Sequence, residues 1–139
     1  MTKCYVCSPL GAETNEKIEI NRLAVINYCK IVEKDLGYNA KAPHSYLPLI
    51  LNDNIPEERQ LALSFGLELL NLCDCIAVCG DKISKGMFGE IRTAIELKKP
   101  IFVFNDMVEY LIKDIGGSPI LIDNKLLGQC SQFIGTLTI

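Results

Sequence analysis

The chain has a single histidine, His44, no tryptophan, no run of lysines or arginines, and no apolar stretch of the ~20 residues a bilayer requires. Without a basic run there is no footprint for a phosphate backbone, so nucleic acid is not expected as the main partner. Without a long apolar stretch, no membrane association is expected. The start, MTKCYVCSPLG, lacks the charged head and apolar middle of a secretory signal, which points to the cytoplasm. What is present is a balanced composition: 139 residues, 49% hydrophobic, 22% charged, with a net charge of −3 from intermixed acids and bases. That fits one globular domain over residues 1–139, large enough to bury a core, with a small molecule or a protein as partner.

Seven cysteines in such a chain call for a reading. An odd count without a secretory signal argues against a disulfide framework. A zinc site from Cys4, Cys7, Cys73 and Cys75 would need two neighbouring strands to bring CYVC and CDC together. Cys4 and Cys7, however, stand three apart on a strand-like run and so point to opposite faces. Small buried hydrophobes in a reducing compartment are the plainer account, and no metal is expected.

Along the chain, strand-like and helix-like segments alternate. KCYVCS is closed by Pro9 and Gly11 and reads as a first strand. From Thr14 to Leu36 the residues Ile20, Leu23, Ala24, Ile26, Ile31 and Val32 recur at helical intervals, and Gly37 follows as a stop. NAKAPHS is a weak second strand, and PHSYLPLILNDNIPEE, with three prolines, reads as a long irregular loop. A second helix starts near Pro56, whose fixed φ suits a first turn, and runs to about Leu72. CDCIAVCG is continuously apolar, as in a strand buried on both faces of a parallel sheet. A third helix over Lys85 to Lys98, a strand in KKPIFVFN, a short helix in NDMVEYLIKDIGG and a strand in SPILID complete the assignable part; Asn124 to Ile139 stays unassigned. The alternation implies a three-layer α/β/α sandwich on a parallel sheet, doubly wound. Ligands in such folds bind beyond the carboxyl ends of the strands, which selects SPLGAET, PHSYLP, GDKISKGMFGE and NDM.

The stretch CGDKISKGMFGEI carries the most specific pattern. With a helix beginning near Gly86, that glycine and Glu90 lie four apart on one face, while Met87, Ile91, Ala94 and Ile95 turn toward the sheet. Gly86 leaves space beside the Glu90 carboxylate, and the free N–H groups of the first turn offer donors to an anion or a sugar hydroxyl. The plainer alternative makes Ser84 an N-cap, the glycines a tight turn, and Glu90 an acid settled by the helix dipole. A capping box is not expected, because the acid comes six residues after Ser84 rather than three.

Ser84, Gly86 and Glu90 form S-x-G-x-x-x-E after a hydrophobic strand. Together with YVCSPLG, APH and ELLNLCDCIAVCGD, this resembles the nucleoside 2-deoxyribosyltransferase superfamily, and within it an uncharacterised bacterial and phage branch of the DUF4406/DUF7768 type. The resemblance runs from about Lys3 to Phe104. It implies a flavodoxin- or Rossmann-like sheet of five strands in the order 2-1-3-4-5, in homodimers or larger assemblies whose neighbours help close the pocket. It also implies a nucleoside or nucleotide ligand and no cofactor. In catalytic members the motif glutamate attacks the anomeric carbon and forms a glycosyl-enzyme intermediate, a role that falls on Glu90 here. Tyr5 would position Glu90, Ser84, Gly86 and Met87 would bound the sugar or its 5′ substituent, and Ser8, Pro9 and Gly11 would lie under base and sugar. A carboxylate at a helix start is expected to stay ionised near neutral pH.

The departing base needs a proton from another acid. Catalytic members carry an aspartate on the second helix about two turns before the acid matched by Asp74, where this chain has Gly66. Three groups are alternatives, each with a structural reading beside it. Glu68 shares a helix face with Leu61, Phe65 and Leu72, and is either a pocket acid or a partner of a base such as Arg59. Asp81 is a pocket-rim group or a turn residue, and His44 a base, a binding residue or a structural loop histidine. Asp74 is assigned to the strand entry. Two functions follow: an enzyme acting on an N-glycosidic bond, or a non-catalytic binder of a nucleotide-like ligand on the same fold.

Overall fold

The computed structural model describes residues 1–11 and 14–122. The unassigned tail from Asn124 lies outside them. Strand β1 (Lys3–Cys7) is followed by helix α1 (Asn15–Ile31), β2 (Asn39–Lys41), α2 (Pro56–Leu72), β3 (Cys75–Val78), α3 (Lys85–Glu96), β4 (Ile101–Val103), α4 (Asp106–Asp114) and β5 (Ile120–Leu121). The strands pair in parallel in the order β2-β1-β3-β4-β5, with Cys4 opposite Cys75 and Cys7 opposite Val78 across the centre. This is the doubly wound α/β sheet that the alternation of segments implies.

The two faces of the sheet hold separate cores. Tyr5, Cys7, Ile76 and Val78 pack with Leu70, Met87, Ile91, Val108 and Ile112 from α2, α3 and α4. Cys4, Val6, Cys75, Ala77 and Cys79 pack with Val25, Ile31 and Val32 from α1 and the turn after it. Strand alternation therefore separates Cys4 from Cys7, and the six described cysteines are free thiols, five of them buried. Asp74 enters as expected at a strand edge: its carboxylate accepts the Lys3 N–H at 2.8 Å, and its own N–H donates to the Lys3 carbonyl.

Several helix ends follow from local chemistry. Thr14 Oγ1 accepts the Lys17 N–H at 3.2 Å and starts α1. A π-helical turn, Val32–Leu36, closes that helix, and Gly37 at φ 69° takes the left-handed conformation that stops it. The buried stripe of α1 differs in part from the one expected: Ile31 and Val32 are buried as expected, but Ile20 and Leu23 are exposed, and Val25, Tyr28 and Cys29, in line with Val32, face the sheet. These four stand at i, i+3, i+4 and i+7, a second apolar stripe that the sheet selects. The expected irregular loop before α2 contains two 3₁₀ turns, Pro43–Ser45 and Leu47–Leu49, and Pro56 occupies the first turn of α2. Helix α3 ends at Glu96, two residues earlier than expected, and Lys98 carries a positive φ of 57° beyond it.

Candidate active site

The parallel sheet changes winding direction between β1 and β3, and the residues just beyond their carboxyl ends are where such a fold opens a crevice. Helix α3 begins there. Ser84 Oγ accepts the Met87 N–H and the Met87 sulfur accepts the Ser84 N–H, both at 3.4 Å. That is a reciprocal cap with a thioether in place of the usual acid, and it corrects the expectation that none forms. The cap pins Met87 inward, and Met87, Glu90, Ile91 and Ala94 are then buried at helical spacing.

Glu90 thus lies under the helix, 6% exposed, against Tyr5, which is 1% exposed. The Tyr5 hydroxyl donates a hydrogen bond to the carboxylate, and Glu90 Oε2 keeps no partner among the described residues. Burial pushes the Glu90 carboxyl up from 4.5 to about 7, and the Tyr5 hydrogen bond opposes this only in part. This reverses the expectation from the helix dipole. Glu90 is the sixth residue of α3, past the first turn where the dipole acts, so desolvation decides. Burial, and then the Glu90 charge, push the Tyr5 phenol far up as well, so it remains a donor. The Cys7 thiol is raised by the same two causes in the same order.

A cleft of about 990 Å³ opens onto this pair. Gly86, Gly89 and Glu90 from α3, Gly66 and Leu63 from α2, and His44 with Leu47 to Asp53 from the loop after β2 line it. A Cβ on Gly86 or on Gly89 would meet nothing within 4 Å, so the space beside the carboxylate is open. Gly66 differs: a Cβ there would stand 3.0 Å from the Tyr5 hydroxyl, which occupies the place of a side chain. His44 Nδ1 lies 3.1 Å from the Ser8 carbonyl, an acceptor only, so this nitrogen carries the ring proton. Burial lowers the His44 pKa, against the raising effects of the Ser8 carbonyl and of Asp53.

The remaining expected residues are distributed as follows. Ser8 is fully buried, with its hydroxyl unpartnered among the described residues. Pro9 braces the turn after β3, its Cδ 3.0 Å from the Cβ position of Gly80, which holds a positive φ of 97°. Gly11 is exposed beside the cleft-lining Asp53, whose carboxylate is 3.8 Å from the Cβ position. Ser84 and Met87 shape the helix start from behind the cleft wall. Glu68 and Asp81 stand exposed outside the cleft. The face of α2 that carries Glu68 also leaves Leu61 59% and Leu72 70% exposed, so it turns away from the sheet. Asp81 acts on Tyr28 of α1, on the far side of the sheet from Glu90.

Sequence reading missed the pair formed by Asp53 and Arg59, 2.8 Å apart at the cleft rim. Its signal is an acid six residues ahead of a base across a helix start, which becomes specific only once Pro56 fixes where α2 begins. Gly89 is the other omission, readable as a second small residue directly before Glu90.

No curated protein matches the chain. Among solved structures, the 2-deoxyribosyltransferase of the psychrotolerant bacterium Bacillus psychrosaccharolyticus, a biocatalyst for the synthesis of antiviral and antitumoral nucleosides, is similar with a TM-score of 0.63. The identity is 22%, over 88% of this chain and 87% of that one. A conserved protein from Enterococcus faecalis V583 is similar with a TM-score of 0.54 at 16% identity, over 96% of this chain and 99% of that one. At these identities the two likenesses establish the fold, that of a deoxyribosyltransferase-like α/β protein. A family profile, Domain of unknown function (DUF7768), matches residues 2–104, close to the span of the motifs. The chain belongs to the DUF7768 family.

Proposed function

We propose that the protein acts on the N-glycosidic bond of a nucleoside or nucleotide, by hydrolysis or base exchange, with Glu90 as the covalent nucleophile. The observation that carries this reading is the buried carboxylate with one oxygen unpartnered among the described residues, opening on a cleft beside two glycines. The ionised oxygen attacks the anomeric carbon as the carbon–nitrogen bond breaks through an oxocarbenium-like transition state. Water, or a second base, then releases the sugar from the Glu90 ester. Tyr5 holds the carboxylate by a hydrogen bond and stabilises its ionised form. Gly86 and Gly89 leave room for the sugar, and His44 contacts the base or sugar from the opposite loop. The fold likeness to a 2-deoxyribosyltransferase supports a nucleoside as ligand.

The reading includes a homo-oligomer, since Leu49 and Ile50, 65% and 72% exposed at the cleft, are apolar surface that a second copy would cover. It also includes a cytoplasmic location, where the free thiols stay reduced. Gly66 favours a second reading, a binder without chemistry, because the aspartate of the catalytic members is missing there.

A panel of nucleosides and nucleotides, scored for base release and for thermal shift, separates the two. Base release that disappears in Glu90→Ala and Glu90→Gln, with the fold retained, is the expected result. No release from any compound, with ligand binding that survives Glu90→Gln, overturns the enzyme reading.

A further inference from the structure

Among the described residues, every carboxylate lining the cleft except Glu90 is held by a partner. Asp53 is bound to Arg59 at 2.8 Å, and the Glu58 carboxylate accepts the Asn52 N–H at 3.1 Å. Lys85 is exposed at the cleft edge, and His44 holds its proton on the nitrogen that faces the Ser8 carbonyl, so its free Nε2 is an acceptor. On α2 the position against the Tyr5 hydroxyl is Gly66, which has no side chain to donate. The Tyr5 hydroxyl itself is given to Glu90. Among the described residues, then, the cleft holds a buried nucleophile and no free carboxyl, phenol or imidazolium to protonate a departing base, and its ammonium, Lys85, lies out at the exposed edge.

On the glycosidic-bond reading, we infer that the preferred substrates are nucleosides or nucleotides whose base carries a positive charge, such as a pyridinium or a ring-N-alkylated purine. The bond balance then needs no acid. A Glu90 carboxylate oxygen bonds to the anomeric carbon, the electron pair of the carbon–nitrogen bond passes to the ring, and the base leaves neutral. One negative and one positive charge become a neutral ester and a neutral base. Water then attacks the anomeric carbon, the sugar departs with the hydroxyl, the carboxylate is restored, and the remaining proton passes to solvent.

The surroundings of Glu90 favour this charge pairing. No cation among the described residues is bound to the carboxylate, so a cationic base would be a counter-charge in a site of low polarity. A cation beside the carboxyl also favours its ionised form, opposing the burial that holds it at about 7. A neutral substrate offers neither effect, and it still requires a proton that the described cleft does not supply.

The test uses the full chain with matched pairs: nicotinamide riboside against uridine, and 7-methyl-2′-deoxyguanosine against 2′-deoxyguanosine. A missing general acid weakens catalysis by roughly 10²–10⁴-fold for substrates that need one. We therefore expect kcat/KM for the cationic compounds to exceed that for the neutral ones by about 100-fold or more, after division by each compound's uncatalysed rate. For nicotinamide riboside, whose ring charge does not titrate, the pH profile should rise once with Glu90 ionisation and show no falling limb, and Glu90→Gln should abolish release. Neutral nucleosides cleaved within about tenfold of the cationic ones, or a bell-shaped profile with nicotinamide riboside, would overturn the inference while leaving the glycosidic-bond reading in place. Absence of release from both classes would remove both.

Discussion

The protonation of Glu90 should be visible as a pH-dependent stability, apart from any knowledge of the substrate. In the unfolded chain its carboxyl titrates near 4.5, and in the folded protein near 7, because burial penalises the charge. Between those values the folded state binds the proton more tightly than the unfolded state does. Stability from this group is therefore full below 4.5 and falls as pH rises through about 7, the direction opposite to that of a salt-bridged acid. The shift corresponds to about 3 kcal/mol, or roughly 10 °C in Tm for a domain of this size. His44 acts in the other direction, since its lowered pKa makes the folded state shed a proton that the unfolded chain keeps below 6.5. The native protein alone thus shows a partly cancelled slope, and Glu90→Gln isolates the carboxylate. Urea unfolding at half-unit steps from pH 5 to 8, on native protein and Glu90→Gln, should give a difference in stability that grows in favour of the variant by about 2–3 kcal/mol across the range. A difference that stays constant from pH 5 to 8 would refute the account, because a buried carboxyl that ionises without penalty is not held up by burial.

Other outcomes follow from the same contacts. Tyr5→Phe removes the one donor to the Glu90 carboxylate among the described residues, so the rising limb of a pH–rate profile should move to higher pH, and kcat/KM at neutral pH should fall about 10- to 100-fold. An unmoved limb would separate Tyr5 from Glu90. Gly66→Ala places a Cβ 3.0 Å from the Tyr5 hydroxyl and should lower both stability and activity, with stability restored in Tyr5→Phe/Gly66→Ala, where the hydroxyl is gone. Additive losses in that double variant would exclude a direct contact. Gly117→Ala meets Ile112 Cγ2 at 2.6 Å and its carbonyl at 3.2 Å, and should destabilise by about 1–3 kcal/mol in denaturant unfolding, without changing the Glu90 pH profile.

The sheet was legible because β3 is buried along its whole length, and a continuous apolar run of that kind fits few environments. The inward faces of the helices were less so. Helix α1 carries apolar residues on two overlapping stripes, and only contact with the sheet decides that Val25 and Val32 turn in while Ile20 and Leu23 turn out. Helix α2 is more ambiguous still: leucines and a phenylalanine occur on most of its sides, yet only Gly66 and Leu70 are buried. Assigning Glu68 to an inward face relied on Leu61, Phe65 and Leu72, which are all exposed. Periodicity locates a helix well and orients it poorly when apolar residues exceed what one face can bury.

The site divides along the same line. The spacing of Gly86 and Glu90 is local, and the open space beside the carboxylate follows from it. The charge state of Glu90 is not local, because burial in the assembled fold raises its pKa and the hydrogen bond that opposes this comes from Tyr5, more than 80 residues earlier in the chain. Gly66 links the two. In sequence it reads as a missing acid; in the fold its bare Cα is what admits the Tyr5 hydroxyl, and that hydroxyl is the hydrogen bond that steadies Glu90. A carboxylate at position 66 would contend with Glu90 for the same phenolic proton and add a second negative charge beside a group already resisting ionisation. Tyr5, Gly66 and Glu90 are therefore coupled through one hydroxyl, and Gly66→Asp should have to shift the Tyr5 ring before its carboxyl can serve catalysis.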